Sequence, residues 1–420
     1  MRTIRRTLAL LAAAGILHCV LAPPALAGRA RPIFLKFPRF EVPPNSDREV
    51  CTFVKLPRTG AYDARGTLIV NLGGNAHFAS HHFLLYAYTG TQLAEFEQLQ
   101  GKVVTSKACL DFGPTDRNSR HLIGGAQTRR SLQILPPGLA QQIHPAATAS
   151  GRPALGLILN SHWINGSDRP QHAAVKIKII PAKPHTVKRY LDLIFEVVAN
   201  GFIKVPPGEV RDNAYWRWGP GVPDFGARRF GGIQMPDGPA CVVSVTSHTH
   251  KRGKLFTVDF VDESTGASQH ILRTLDYADP RQAIFDGRNG NPPPLLVMPG
   301  QYLEYRCTHD NGVTTPVKLG CEETPGVPPG EDAATTVLSH RGLTGAAKRC
   351  TSVGPAPGEC PPTDPAYPGR TFTGNCVAAN LVFGFTSDDE MCILPGSYYP
   401  VNPAAPPGQE CDLGPLPFVN

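Results

Sequence analysis

The sequence predicts an all-β protein: two antiparallel β-sandwich domains, jelly-roll-like, with a disulfide-stapled insertion in the second. Three observations point there. The 420 residues include 42 Gly and 43 Pro, a level of turn formers that breaks helix interiors and argues against a helix bundle. Short runs rich in aliphatic and β-branched residues recur between turn signals such as Gly73-Gly74-Asn75 and Pro206-Pro207-Gly208. No segment offers a long amphipathic helix, so sandwiches are the default architecture. Hydrophobic residues make up 41% and charged residues 18%, which sets the chain apart from disordered polypeptides.

Taken in order, the chain opens on an export signal. Arg2, Arg5 and Arg6 form a basic start, residues 8–21 are apolar, and Ala25-Leu26-Ala27 fits a small-x-small cleavage site. Residues 1–27 are therefore read as a signal peptide, with Gly28 the mature start and a periplasmic or extracellular destination. The apolar stretch is too short for a comfortable membrane span, and no later segment is apolar enough to be one. Of the 11 Cys, only Cys19 lies in the signal, leaving an even number in an oxidising compartment. Loss of the three arginines takes the net charge from +7 to about +4, and no Lys/Arg tract follows, which argues against a nucleic-acid partner.

Residues 28–184 are assigned to the first sandwich. Its clearest strand-like runs are 67–72, 83–88, 155–160 and 174–180, and Pro181-Ala182-Lys183-Pro184 marks a boundary. Residues 185–420 are assigned to the second, with runs at 193–198, 242–247, 255–261, 302–306 and 381–385. Within it, about 310–375 is rich in Gly, Pro and Thr and has little periodicity. A long structureless loop in a compact domain needs staples, and Cys321, Cys350, Cys360 and Cys376 are enough for two.

Candidate chemistry centres on histidine. In Ser247-His248-Thr249-His250, which follows a β run, residues i and i+2 of a strand share a face, so the two imidazoles converge as half a metal site. His81-His82 begins another apolar run. Adjacent strand residues face opposite ways, so both can serve one metal only at a strand end or a bulge. His162 closes the run 155–161. Met391 offers a thioether, a soft donor that favours Cu(I) over Zn(II). The neighbouring Asp388, Asp389 and Glu390 read as a solvated turn. There is no G-x-S-x-G, P-loop, H-E-x-x-H or CxxC pair, so serine hydrolases, P-loop nucleotide enzymes and structural zinc are not indicated.

In chain order these pieces resemble the copper type II, ascorbate-dependent monooxygenases, the family of the peptidylglycine α-hydroxylating and dopamine β-monooxygenases. The matching pieces are Cys51 with Val54-Lys55-Leu56-Pro57, His81-His82, His162, His248-Thr249-His250 with Gly253, Pro299-Gly300 with Cys307, Ser387 to Cys392, and Tyr398-Tyr399. They span about residues 45 to 411.

The resemblance implies one copper on each of two β-sandwiches, facing a solvent-filled cleft. It implies His81, His82 and His162 as the electron-transfer site. It implies His248, His250 and Met391 as the O2-activating, catalytic site. The substrates would be O2, a small organic molecule with an activated C–H bond, and ascorbate or a similar reductant. It also implies the disulfides Cys51–Cys109, Cys241–Cys411 and Cys307–Cys392.

This sequence departs from the pattern in places. Thr246 stands where the peptide-hydroxylating members carry an Arg that holds a substrate carboxylate. Ile393 and Pro395 replace substrate-contacting polar residues, and Phe83 replaces a Met. A peptide-glycine substrate is therefore not expected. The same departures keep open a second reading, a non-catalytic copper-binding or adhesive secreted sandwich protein.

Overall fold

A computed structural model describes residues 31–44, 46–57, 60–75, 77–88, 97–105, 120–145, 154–223, 235–313, 319–323, 347–349, 372–378, 380–383 and 390–413. The predicted signal peptide, Cys109, Cys350, Cys360, Asp388 and Asp389 lie outside these residues. The described chain is almost entirely β, in sheets that are antiparallel except where Arg189–Tyr190 runs parallel to Leu139–Ile143, as the turn-former content and short apolar runs predict. Among the described residues no helix is long and apolar enough to cross a membrane.

The first sandwich packs two sheets. One orders the strands Ile33–Val42, Gln171–Pro181, Tyr62–Leu72, Leu139–Ile143 and Arg189–Tyr190, with Arg130–Ile134 also on Tyr62–Leu72. The other orders Val104–Thr105, Ser46–Pro57, Ala154–Asn165, Phe78–Tyr88 and Arg120–Ala126. Alternating residues such as Phe37, Ile69, Leu85, Leu157 and Val175 fill the space between the sheets. Ala154–Asn165 is the middle strand and is buried on both faces, which is why its run reads as unbroken hydrophobicity. It continues past His162 to Asn165, so that histidine sits within the ladder and not at its end.

The second sandwich pairs a sheet of Asp192–Glu196, Leu394–Pro400, Ala240–Thr246 and Gln282–Ile284 with a sheet of Glu209–Trp218, Gln301–Asn311, Gly253–Asp262 and Ala267–Thr274. Trp218, Val242, Phe256, Leu303 and Tyr305 build its core. Two local readings change here. The 193–198 run ends as a strand at Glu196 and continues as a 3-10 turn over Val198–Phe202, because the buried Glu196 carboxylate accepts the Val197 and Val198 N–H groups. The 310–375 insertion is not wholly structureless: Leu319–Glu323, Ala347–Arg349 and Phe372–Ala378 form a small three-stranded sheet.

Cys241–Cys411 and Cys307–Cys392 are disulfides. Cys51 is also disulfide-bonded, and its expected partner Cys109 is outside the described residues. Leu139 of the first sandwich packs with Leu191, Val243 and Tyr399 of the second in a small apolar seam.

Candidate metal centre

The first histidine group is a product of strand register. Across three neighbouring strands, Glu49 pairs with His162 and His162 pairs with His82, so these three side chains stand in one row on one face. His81 would point away on a regular strand. The ladder slips between Ser80 and His82, however: Ser80 opposes Trp163 and His82 opposes His162, with His81 the extra residue of a bulge. A bulge re-aims one side chain, and this one puts His81 on the same side as His82. The ring centroids of His81, His82 and His162 lie 5.0–5.2 Å apart.

Glu49, which the sequence reading passed over, braces this row. Its Oε1 accepts hydrogen bonds from His82 Nε2 at 3.4 Å and from Asn160 Nδ2 at 2.7 Å. Burial by itself would raise this carboxyl. The hydrogen bond from His82 and the nearby His162 and His82 rings outweigh burial and hold it below the usual value. Spending Nε2 on Glu49 leaves His82 Nδ1 as the ligand atom, the arrangement by which a carboxylate fixes the tautomer of a metal-binding histidine.

The second group is held differently. The strand Ala240–Thr246 stops one residue before Ser247, so His248 and His250 lie in an extended segment beyond it. That corrects the reading of the pair as strand residues, although they still converge, with ring centroids 5.5 Å apart. His248 exchanges both backbone hydrogen bonds with Ile393, each 3.1 Å. Beyond His248 the ladder partner is a side chain. Glu390, fully buried, accepts the N–H of His250 at 2.9 Å, of Arg252 at 2.6 Å and of Met391 at 3.3 Å.

Glu390 is therefore no solvated turn residue. The turn it caps has two inward N–H groups, of His250 and Arg252, and the buried carboxylate satisfies these together with the N–H of its own neighbour Met391. His309 Nε2 donates to Met391 O at 3.3 Å and lies 3.6 Å from Glu390 Oε2. Burial pushes His309 down to about 4, so it is neutral at ordinary pH. Asn200 Oδ1 accepts the Cys392 N–H at 2.6 Å, and the Cys307–Cys392 disulfide closes the brace. Met391 is thus fixed on both sides along the chain.

The two groups meet. His81 shares one set of three with His82 and His162 and another with His248 and His250, and within each set the ligand atoms lie inside 4.8 Å of one another. Rings cross between the sandwiches at 5.2 Å for His81–His250, 5.8 Å for His81–His248 and 5.9 Å for His82–His248. Gln127, on a turn of the first sandwich, donates from Nε2 to His248 Nδ1 at 3.4 Å. The resemblance implies two sites separated by a solvent-filled cleft; here the five imidazoles form one cluster, four of them buried and His248 half-buried. Burial, and then the neighbouring rings, push His81 and His248 well below the ordinary histidine value.

No protein-family model matches the chain, and the search of curated proteins found no match.

The donor chemistry suits a metal. Nitrogen atoms crowd together without a carboxylate in either set, and His81 Nε2 and His82 Nδ1 are buried without a hydrogen-bond partner. A buried polar atom in that state is costly unless something coordinates it. Imidazole sets suit copper, zinc, iron or nickel. Met391 joins His248 and His250 in the wall of an adjoining cavity of about 580 Å³, placed between the sandwiches.

Proposed function

We propose that the chain is an exported dicopper monooxygenase that hydroxylates a C–H bond of a small organic molecule. The observation that carries this reading is the convergence of His81, His82, His162, His248 and His250 beside a cavity whose wall also contains Met391. His81, His82 and His162 would hold one copper; His248, His250 and Met391 the other. Copper would supply the one-electron chemistry by which O2, two protons and two electrons from an ascorbate-type reductant convert C–H to C–OH and one water.

The protein's own residues supply binding, orientation and dryness. Glu49 orients His82, and Gln127 occupies His248 Nδ1, leaving Nε2 for the metal. Glu390 and the Cys307–Cys392 bridge hold Met391 in place, which a weak thioether ligand needs. Near-complete burial of His81, His162 and His250 keeps bulk water from the reacting volume.

Metal analysis of the dialysed protein is expected to show two coppers per chain, with one sulfur scatterer in the Cu(I) X-ray absorption spectrum. Ascorbate-driven O2 uptake in the presence of substrate is expected to vanish in His248→Ala. Uptake that survives this change refutes the site.

A second reading, a copper-carrying protein without turnover, is favoured by one observation: His81 belongs to both sets. It predicts full copper occupancy with no substrate-coupled O2 uptake.

A further inference from the structure

We infer that the 580 Å³ cavity between the sandwiches binds a neutral, apolar-bodied molecule carrying a hydroxyl or carbonyl, and rejects carboxylates. The volume falls in the range of small-molecule sites. That the occupant is the substrate rests on the monooxygenase reading; that the cavity selects neutral ligands does not.

The walls argue for the ligand class. Leu84, Leu122 and Ile123 face the cavity from the first sandwich, and Phe195, Val243 and Ile393 from the second. Among the described residues no Lys or Arg lines it, and its three carboxylates are Glu49, Asp279 and Asp286. In the copper-free protein an anion would enter a low-dielectric space whose wall offers no Lys or Arg and has carboxylates nearby.

A cation fares little better, because each acid is already engaged. Glu49 is bonded to His82 and Asn160. Asp286 accepts from Arg288 N and Asn291 Nδ2, each at 3.0 Å. Asp279 pairs with Arg281 at 3.5 Å.

Among the uncharged polar groups on the wall, which include Gln133, Gln282 and Ser131, one pair is set close together. Ser244 and Ser397 face each other on adjacent strands with their hydroxyls 2.9 Å apart. One hydroxyl donates to the other, and the acceptor's own O–H is then available to a neutral oxygen. The positions Thr246, Ile393 and Pro395 all line this cavity. The same volume also reaches His248, His250 and Met391, so an occupant lies against the proposed O2-activating ligands.

Binding is measured on the copper-free full-length mature protein with the neutral fluorophore N-phenyl-1-naphthylamine as probe, and copper content is measured separately after reloading. 4-Phenylbutanol, 4-phenylbutyrate and 4-phenylbutylamine are compared as competitors. The alcohol is expected to displace the probe at a concentration at least about tenfold below either charged analogue. Ser244→Phe, which places a ring where the paired hydroxyls stand, is expected to weaken probe and alcohol binding with copper content unchanged. Ile284→Arg, at an exposed position of the wall, is expected to narrow the gap between alcohol and carboxylate at least about threefold.

Equal or tighter binding of the carboxylate by the wild-type protein, or no probe binding at all, overturns the inference. Selective binding without O2 uptake would leave it standing and remove the monooxygenase reading. Turnover of a carboxylate with no preference for the alcohol would do the reverse.

Discussion

The two histidine groups sit a few ångströms apart yet are built by opposite means. On the first sandwich, His82 and His162 are neighbours in a continuous ladder, and a single bulge brings in His81. On the second, the strand has already ended, and a buried carboxylate, an asparagine and a disulfide hold His250, Met391 and Cys392. A ladder distributes its support over many backbone bonds. A capped turn concentrates it in one residue, so the second half-site should be far easier to break by a single substitution.

The largest effect is expected at Glu390. Glu390→Ala leaves the N–H groups of His250, Arg252 and Met391 without their acceptor and should cost roughly 3–5 kcal/mol of stability. Chemical denaturation checks this, and metal analysis should show the His248–His250–Met391 half-site emptied first. Retained stability and full metal content would mean that the turn stands without its cap.

His81 comes next, because among the described residues it alone belongs to both groups. His81→Ala should weaken metal binding at both half-sites, whereas His162→Ala should weaken only the first. Competitive chelator titration of the two variants distinguishes a shared ligand from two independent sites; identical titrations would break the comparison.

Glu49→Gln removes the charge behind His82 while keeping the shape. A 10- to 100-fold loss of metal affinity at the first half-site is expected, with little change at the second. Affinity loss at both alike would show that the groups behave as one.

The smallest effect concerns acid. In metal-free protein His309 titrates at about 4, below its ordinary value of 6.5, because burial disfavours its charged form. The unfolded chain therefore takes up this proton first. Stability held above pH 6.5 should fall as pH drops toward about 4, and the melting temperature should fall by several degrees. A flat profile across that window would mean that the His309 pocket hydrates freely. Bound metal should mask part of the acid sensitivity of His81 and His248 by occupying their nitrogens.

Much of the fold could be read from the chain because sheet burial writes itself locally. The alternation in residues 171–181 and the unbroken apolar run at 155–161 correspond to a half-covered and a doubly covered strand. The histidine pairs could be read for the same reason, as unusual side chains in strand-like runs. Glu49 and Glu390 could not. An acid before an apolar run, or third in a row of acids, looks solvated until the elements that bury it are in place. Glu390 is capped onto a turn 140 residues away in sequence, and Glu49 meets Asn160 across 111.

By itself, then, the sequence determined the β class, the turn positions and the identity of the donor atoms, because backbone propensity and side-chain chemistry are local properties. Tertiary structure alone decided that His81 turns with His82, that Glu390 is buried, and that five imidazoles from two sandwiches share one volume. Those outcomes depend on ladder register and on the packing of one sandwich against the other, which are set by contacts between residues far apart in the chain.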